Sequence, residues 1–302
     1  IGTLDSKGTI TMKKTIEYDE QVTCISSRFS YRKNYLAIAV GSHIHLLDKL
    51  YRDVKSVDTK MTKALFKSLS ISPEGRFLLA VDADFSLRLY TVPALKLKDF
   101  TSKDSVQRAV FMDISKPKDQ DHDKDLRILC VSESKVQIRK AKVGFKIIAE
   151  SEIFDLEPKQ ISIIDDLIYY TGLSKEKRKS FVIKLRYNKE KGIIETLSIA
   201  TPLSSVITTM RTTSSSVAVG TADGSIALLN RNSLKTIKVY SKLHEMPATS
   251  IAAVDRFLVT GGLDSALIVT QNKGKAPHTH MILFILIILL ACLIWWYLNK
   301  AQ

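Results

Sequence analysis

The chain has 302 residues, 45% of them hydrophobic and 25% charged, with no long Gly/Ser or Gln/Asn tract. That composition excludes a disordered or fibrous protein and leaves room for one large domain or two ordinary ones. The formal net charge of +14 makes an anionic membrane surface, an acidic partner or nucleic acid electrostatically plausible, and it excludes nothing about fold.

The chain opens IGTLDSKG, with Ile1 and no initiator Met, so an N-terminally incomplete or processed protein is expected. Residues 9–18 (TITMKKTIEY) read as the outer strand of an early blade. From there to residue 270 helical periodicity is scarce, and short apolar or alternating runs are bounded by Gly, Asp, Ser and Asn. Hairpins are expected at 35–48 (YLAIAVGSHIHLLD), 77–91 (FLLAVDADFSLRLYT) and 128–141 (ILCVSESKVQIRKA). Three more follow at 167–185 (LIYYTGLSKEKRKSFVIKL), 217–230 (VAVGTADGSIALLN) and 257–270 (FLVTGGLDSALIVT). Further short strands precede them, such as 68–72 (SLSIS), 205–210 (SVITTM) and 249–254 (TSIAAV). A repeat of about 40 to 50 residues with several strands per unit defines a β-propeller; a pair of β-sandwiches would not require that period. The expected fold is all-β: a seven-bladed WD-type propeller over 1–270 with most of its first blade missing.

WD-type positions are degenerate. His244, Thr260 and Asp264 occupy the places of the His, Ser/Thr and turn Asp of a WD hydrogen-bond network, with Val269 where Trp is usual. Asp84 and Tyr90 fill the turn and Trp positions of the second visible hairpin, and Asp223 fills the turn of the fifth. These residues are read as structural: a turn Asp satisfies backbone donors and a His ties blade to blade. Catalysis by His244 is the lesser alternative.

No P-loop, GxSxG, HExxH or CxxC occurs, so no enzymatic chemistry, bound cofactor or metal is expected. Residues 119–125 (DQDHDKD) lack the Gly and terminal Glu of a calcium loop and read as a solvated insert. Residues 175–191 hold eight Lys/Arg and two Glu, which suits lipid headgroups, an acidic partner or plain solvent. Few aromatics interleave with these charges, so nucleic acid is not an expected partner.

Residues 271–280 (QNKGKAPHTH) read as a polar linker and 281–298 (MILFILIILLACLIWWYL) as a transmembrane helix, with 299–302 a short tail beyond it. Eighteen residues of helix span roughly 27 Å, which fits a thin bilayer. Met281 opens the span, and Trp295, Trp296 and Tyr297 place aromatic rings at its far boundary. Lys273 and Lys275 lie on the near side and Lys300 on the far side, which leaves the body in the cytosol. Cys24, Cys130 and Cys292 suggest no disulfide framework, and no Asn-x-Ser/Thr acceptor occurs, in keeping with a reducing compartment.

A degenerate WD propeller followed by one C-terminal span resembles the Sec-twelve family, the prolactin regulatory element-binding proteins of animals. Residues 206–251 look like that family's sixth blade and its approach to the seventh, and 161–185 like its fifth. The resemblance implies an endoplasmic-reticulum guanine-nucleotide exchange factor whose partners are the Sar-type small GTPase of the COPII coat and the membrane lipid. It also implies a Gly/Asn-rich, potassium-binding first-blade loop that enters the GTPase. Nothing before Cys24 is Gly/Asn-rich, so no catalytic or potassium-binding residue is assigned. A membrane-anchored scaffold or tether without exchange activity is the alternative.

Overall fold

The computed structural model describes residues 2–271 apart from short stretches at 5–6, 8, 13–14, 30–33, 60–64, 102–104, 113–125, 133–134, 142–143, 165, 214 and 255–256. The described residues are all β. Strands β1 (Gly2–Leu4) and β2 (Ile10–Met12) pair with each other. An antiparallel meander follows: β3 (Val22–Phe29), β4 (Asn34–Val40), β5 (His43–Leu47) and β6 (Asp53–Asp58). The next is β7 (Phe66–Ile71), β8 (Phe77–Asp82), β9 (Leu87–Thr91) and β10 (Leu97–Thr101). Then come β11 (Arg108–Phe111), β12 (Arg127–Val131), β13 (Val136–Lys140) and β14 (Lys146–Glu150). The fourth meander is β15 (Glu157–Ile164), β16 (Leu167–Ser174), β17 (Lys179–Asn188) and β18 (Ile193–Ala200). The fifth is β19 (Ile207–Thr212), β20 (Ser216–Thr221), β21 (Ile226–Asn230) and β22 (Thr236–Tyr240). The sixth, β23 (Ala248–Val254), β24 (Phe257–Gly262) and β25 (Leu267–Gln271), has three strands. One parallel pairing, Glu150 with Ile193, joins the edges of the third and fourth meanders.

The six expected hairpins are the second and third strands of the six meanders. The early outer strand appears only as Ile10–Met12, paired with β1. The described architecture is therefore six meanders plus one two-stranded ribbon.

The meanders stand side by side, and each gap between neighbours holds a core. Leu78 and Ala80 of β8 pack toward Ala37, Ala39, Ile44 and Leu46, whereas Leu79 and Val81 pack toward Ala109, Ile128 and Cys130. Strand side chains alternate between faces, so a strand buried on both faces reads as an unbroken apolar run. All six residues of β8 and of β20 are buried accordingly. The fourth strands are exposed: Val54, Leu97, Phe100, Ile147, Ile237 and Val239 all present large apolar surface to solvent.

Hydroxyls lace the first strands together. Ser68 Oγ donates to the Ala109 carbonyl (3.0 Å), and Ser70 Oγ accepts from the Phe111 amide (3.2 Å). Ser26 Oγ accepts from Ile71 N (3.3 Å), Ser162 and Thr212 share a 2.6 Å bond, and Thr208 Oγ1 donates to Ala248 O. Early residues meet early residues and late meet late, so all the first strands run in one direction. The turns between first and second strands, and between third and fourth, consequently lie at one end of the assembly. The other connections lie at the opposite end.

Candidate functional site

His244 sits in the connection between β22 and β23 and is buried. Its Nδ1 lies 3.2 Å from both carboxylate oxygens of Asp264 in the β24–β25 turn, and its Nε2 lies 2.9 Å from Thr260 Oγ1 of β24. A carboxylate only accepts, so Nδ1 carries the proton and Nε2 accepts from Thr260. Asp264 also accepts from the amides of Glu245 (3.0 Å) and Ala266 (3.1 Å). Partial burial acts to raise the Asp264 carboxyl, but the Ala266 and Glu245 amides and the His244 ring more than offset this and hold it below the usual range. The Gly224 carbonyl accepts from His244 N at 3.0 Å, and the φ of Gly224 is +79°. A Cβ there would lie 1.9 Å from the His244 carbonyl oxygen, so glycine is required. The network ties the fifth meander to the sixth.

Val269 lies outside this network. It pairs with Val259, whereas Thr260 pairs with Ile268, so Val269 points to the opposite face from Thr260. The residue near the expected Trp position on the Thr260 face is Thr270, which donates to Leu258 O at 3.4 Å.

Asp223 closes the β20–β21 turn. It accepts from Thr221 Oγ1 (2.5 Å), Ser225 N (3.3 Å) and Ser225 Oγ (3.2 Å), and the Thr221 hydroxyl leads in holding its carboxyl low. In the β8–β9 turn the corresponding role is not filled by Asp84, which is exposed. Asp82, two residues earlier and buried, accepts from the amides of Asp84 (3.1 Å) and Ser86 (2.9 Å) and from Arg88 Nε (3.0 Å). Tyr90 is buried on the same face as Arg88; burial raises its hydroxyl's pKa and Arg88 partly counters that.

The six first strands surround a channel of about 1070 Å³ whose lining includes Cys24, Lys67, Arg108 and Arg211. Among the described lining residues there is no carboxylate. Arg108 Nε donates to Lys159 O (3.2 Å) and its Nη1 to Lys67 O, so one guanidinium joins β7, β11 and β15. Burial pulls its pKa down. Lys67 Nζ stands 3.5 Å over the Phe85 ring, with its pKa lowered by burial and then by Arg108. Cys24 donates to Phe66 O at 3.1 Å, and burial pushes its thiol up, the reverse of an activated nucleophile. The channel is cationic and hydroxyl-rich, a place to hold an anion or fix strands rather than to move protons.

The basic stretch 175–191 is divided. Its 175–178 turn lies at one end of the assembly and its 189–192 turn at the other, with β17 between them. Residues 119–125 and the span with Met281, Trp295, Trp296 and Tyr297 lie outside the described residues. Among the described residues no helix is long and apolar enough to cross a membrane, and no cluster of His, Cys, Asp and Glu is arranged to hold a metal. The segment before β3 does not fit a potassium-binding wedge. It reads TIEYDEQ over 15–21, without glycine, and its Ile16 and Tyr18 pack on Ile38, Val40 and Leu47.

Sequence reasoning found His244, Thr260, Asp264 and Asp223 from turn spacing. It did not find Asp82, although VDADFS offers two carboxylates to choose from. It did not find Arg108, whose role depends on two carbonyls distant in sequence.

No protein-family model matches the chain, and no curated protein matches it. Among solved structures it is similar to U3-55K, a WD-repeat propeller, with 12% identity, a TM-score of 0.67, and 85% of this chain and 79% of that one covered. That likeness establishes a WD-repeat β-propeller-like fold.

Proposed function

We propose that the chain is a seven-bladed propeller anchored in the endoplasmic-reticulum membrane, with its body in the cytosol, acting as a guanine-nucleotide exchange factor for a Sar-type small GTPase. It is a regulator and not an enzyme of hydrolysis or group transfer. The observation that carries the reading is the order of parts. A WD-type propeller body is followed, across a ten-residue polar linker, by 18 uncharged and almost wholly apolar residues with an aromatic end. The blade resemblance over 161–185 and 206–251 supports the choice of family. Exchange needs a rigid platform that binds the nucleotide-free GTPase more tightly than the loaded one. Laced first strands and five inter-sheet cores supply rigidity. An anchor adds confinement, because the activated GTPase is produced at the bilayer it must enter.

The second reading is an anchored scaffold or tether without exchange activity, and no step through potassium is assigned to any residue of this chain. The test is release of labelled GDP from a Sar-type GTPase on vesicles carrying the full chain. Acceleration of tenfold or more supports exchange. Binding without acceleration leaves the scaffold, and no binding removes this partner.

A further inference from the structure

The turns between third and fourth strands repeat a feature that the channel and the His244 network do not use. Tyr51, Leu95, Phe145 and Leu234 all take the left-handed conformation, with φ of 59°, 49°, 54° and 55°. Leu95, Phe145 and Leu234 bury their side chains. The next residue in each case is a cation, Arg52, Lys96, Lys146 or Lys235, and all four are exposed. The β17–β18 turn adds exposed Lys189 and Lys191. A buried apolar anchor thus sets a cation on the rim of three meanders, and the turns of two more add Arg52, Lys189 and Lys191 at the same end of the assembly. Three carboxylates there are already engaged: Asp48 with Arg52 at 2.7 Å, Asp166 with Lys189 at 3.7 Å and Glu195 with Lys191 at 3.9 Å. Among the described turn residues at this end, Glu74 and Glu190 remain. At the opposite end the basic 175–178 turn stands among turns carrying Asp84, Asp223 and Asp264.

β25 is a third strand, so the chain leaves Gln271 at the cationic end. Lys273 and Lys275 follow, and then the apolar run 281–298. We infer that this rim of third-to-fourth-strand turns is a docking surface for anionic phospholipid headgroups, which fixes the end of the propeller that faces the bilayer. The inference rests on the membrane-anchor part of the function proposed above and is independent of exchange. Ten linker residues can extend no more than about 36 Å, which keeps the rim near the headgroups but does not by itself orient it. Orientation comes from charge: clustered Lys and Arg beside a span are drawn to anionic lipid within a Debye length.

The test is lysine acetylation footprinting by mass spectrometry on the full chain in phosphatidylcholine vesicles, with and without phosphatidylserine. Expected is a several-fold slower modification of Lys96, Lys146 and Lys235 when phosphatidylserine is present. Lys175, Lys177 and Lys242 should be unchanged, and the protection should vanish in about 1 M salt, where the Debye length is ~3 Å. Equal reactivity in both vesicles, or protection at the 175–178 end, overturns the inference. Greater protection of the same lysines by duplex RNA on the detergent-solubilised chain also overturns it, in favour of nucleic acid. Alkaline extraction reads the anchor separately. A chain that washes off has no span, while the footprint with vesicles added from outside still reports whether the rim meets lipid.

Discussion

At the scale of single residues, His244 is the point where sequence and geometry meet most directly. Its partners are 16 and 20 residues away, spacings fixed by one hairpin, so Thr260 and Asp264 are legible in the sequence as a pair. Val269 was misplaced because spacing gives position along a strand but not the face, which only the Thr260–Ile268 register decides. Turn spacing points to Asp84, and only burial of the Asp82 carboxylate shows that Asp82 is the one that reaches the amides. Thr260→Val keeps the shape and removes the donor to Nε2, leaving a buried acceptor unsatisfied. A loss of ~1–3 kcal/mol is expected, read by chemical denaturation. Gly224→Ala should cost ~2 kcal/mol or more, since it combines a left-handed φ with a backbone clash.

The same residues carry a pH dependence. Asp223 is held below the ordinary Asp range chiefly by the Thr221 hydroxyl, and Asp264 by the two amides and the His244 ring. A folded-state pKa below the unfolded value of ~3.9 gives stabilisation that is complete above that pH and lost as pH falls through the folded value. The acid limb of the stability curve below about pH 4 should therefore flatten in Asp223→Asn, which should also be less stable at neutral pH. Thermal melts across pH 2 to 7, a window set by the same linkage, would read both, and an unchanged acid limb would remove Asp223 from the account.

At the scale of elements, the inner three strands of each meander were legible and the fourth was not. Second strands such as FLLAVD and SVAVGT are buried on both faces and announce themselves as apolar runs. Fourth strands such as Asp53–Asp58 and Thr236–Tyr240 are exposed almost throughout, so no burial pattern marks them, and only pairing to the third strand makes them strands. The turns before them were also invisible, because a left-handed leucine has no sequence signal comparable to glycine. Leu234 is held there by its amide, which donates to Asn230 O at 2.9 Å, and by burial of its side chain. Leu234→Ala should cost ~2–4 kcal/mol from lost burial. Leu234→Gly should cost no more than the alanine variant. Glycine relieves a left-handed penalty of ~1–2 kcal/mol, whereas at ordinary strand positions it is the worse of the two. A glycine variant clearly weaker than the alanine one would mean that the turn holds no strain.

At the scale of the molecule, stability in a ring of similar units is a sum of unit terms and neighbour terms, so whatever crosses the gaps decides whether the body moves as one. Five apolar cores cross them, and so do a few long polar reaches. Tyr169 donates to Arg231 O at 3.0 Å and Lys184 to Asn232 O at 2.9 Å, both joining the fourth meander to a turn of the fifth. Arg108 differs in kind, because it spans three meanders from the channel: its own β11 and the carbonyls of Lys67 and Lys159 on either side. Arg108→Met keeps much of the apolar stem and removes every donor. The two carbonyls then lose a charged partner in a half-buried site, for an expected loss of ~2–3 kcal/mol. The location of the damage matters more than its size. If Arg108 only supports β11, amide exchange in the variant should rise in that strand alone. If it locks the first strands to one another, exchange should rise together in β7, β11 and β15 while β23 stays protected. The second pattern is expected, because the guanidinium's partners are backbone carbonyls of two other sheets. A platform rigid enough to discriminate between states of a partner requires that kind of coupling, and exchange in β7 and β15 unchanged between parent and variant would show that the channel does not provide it.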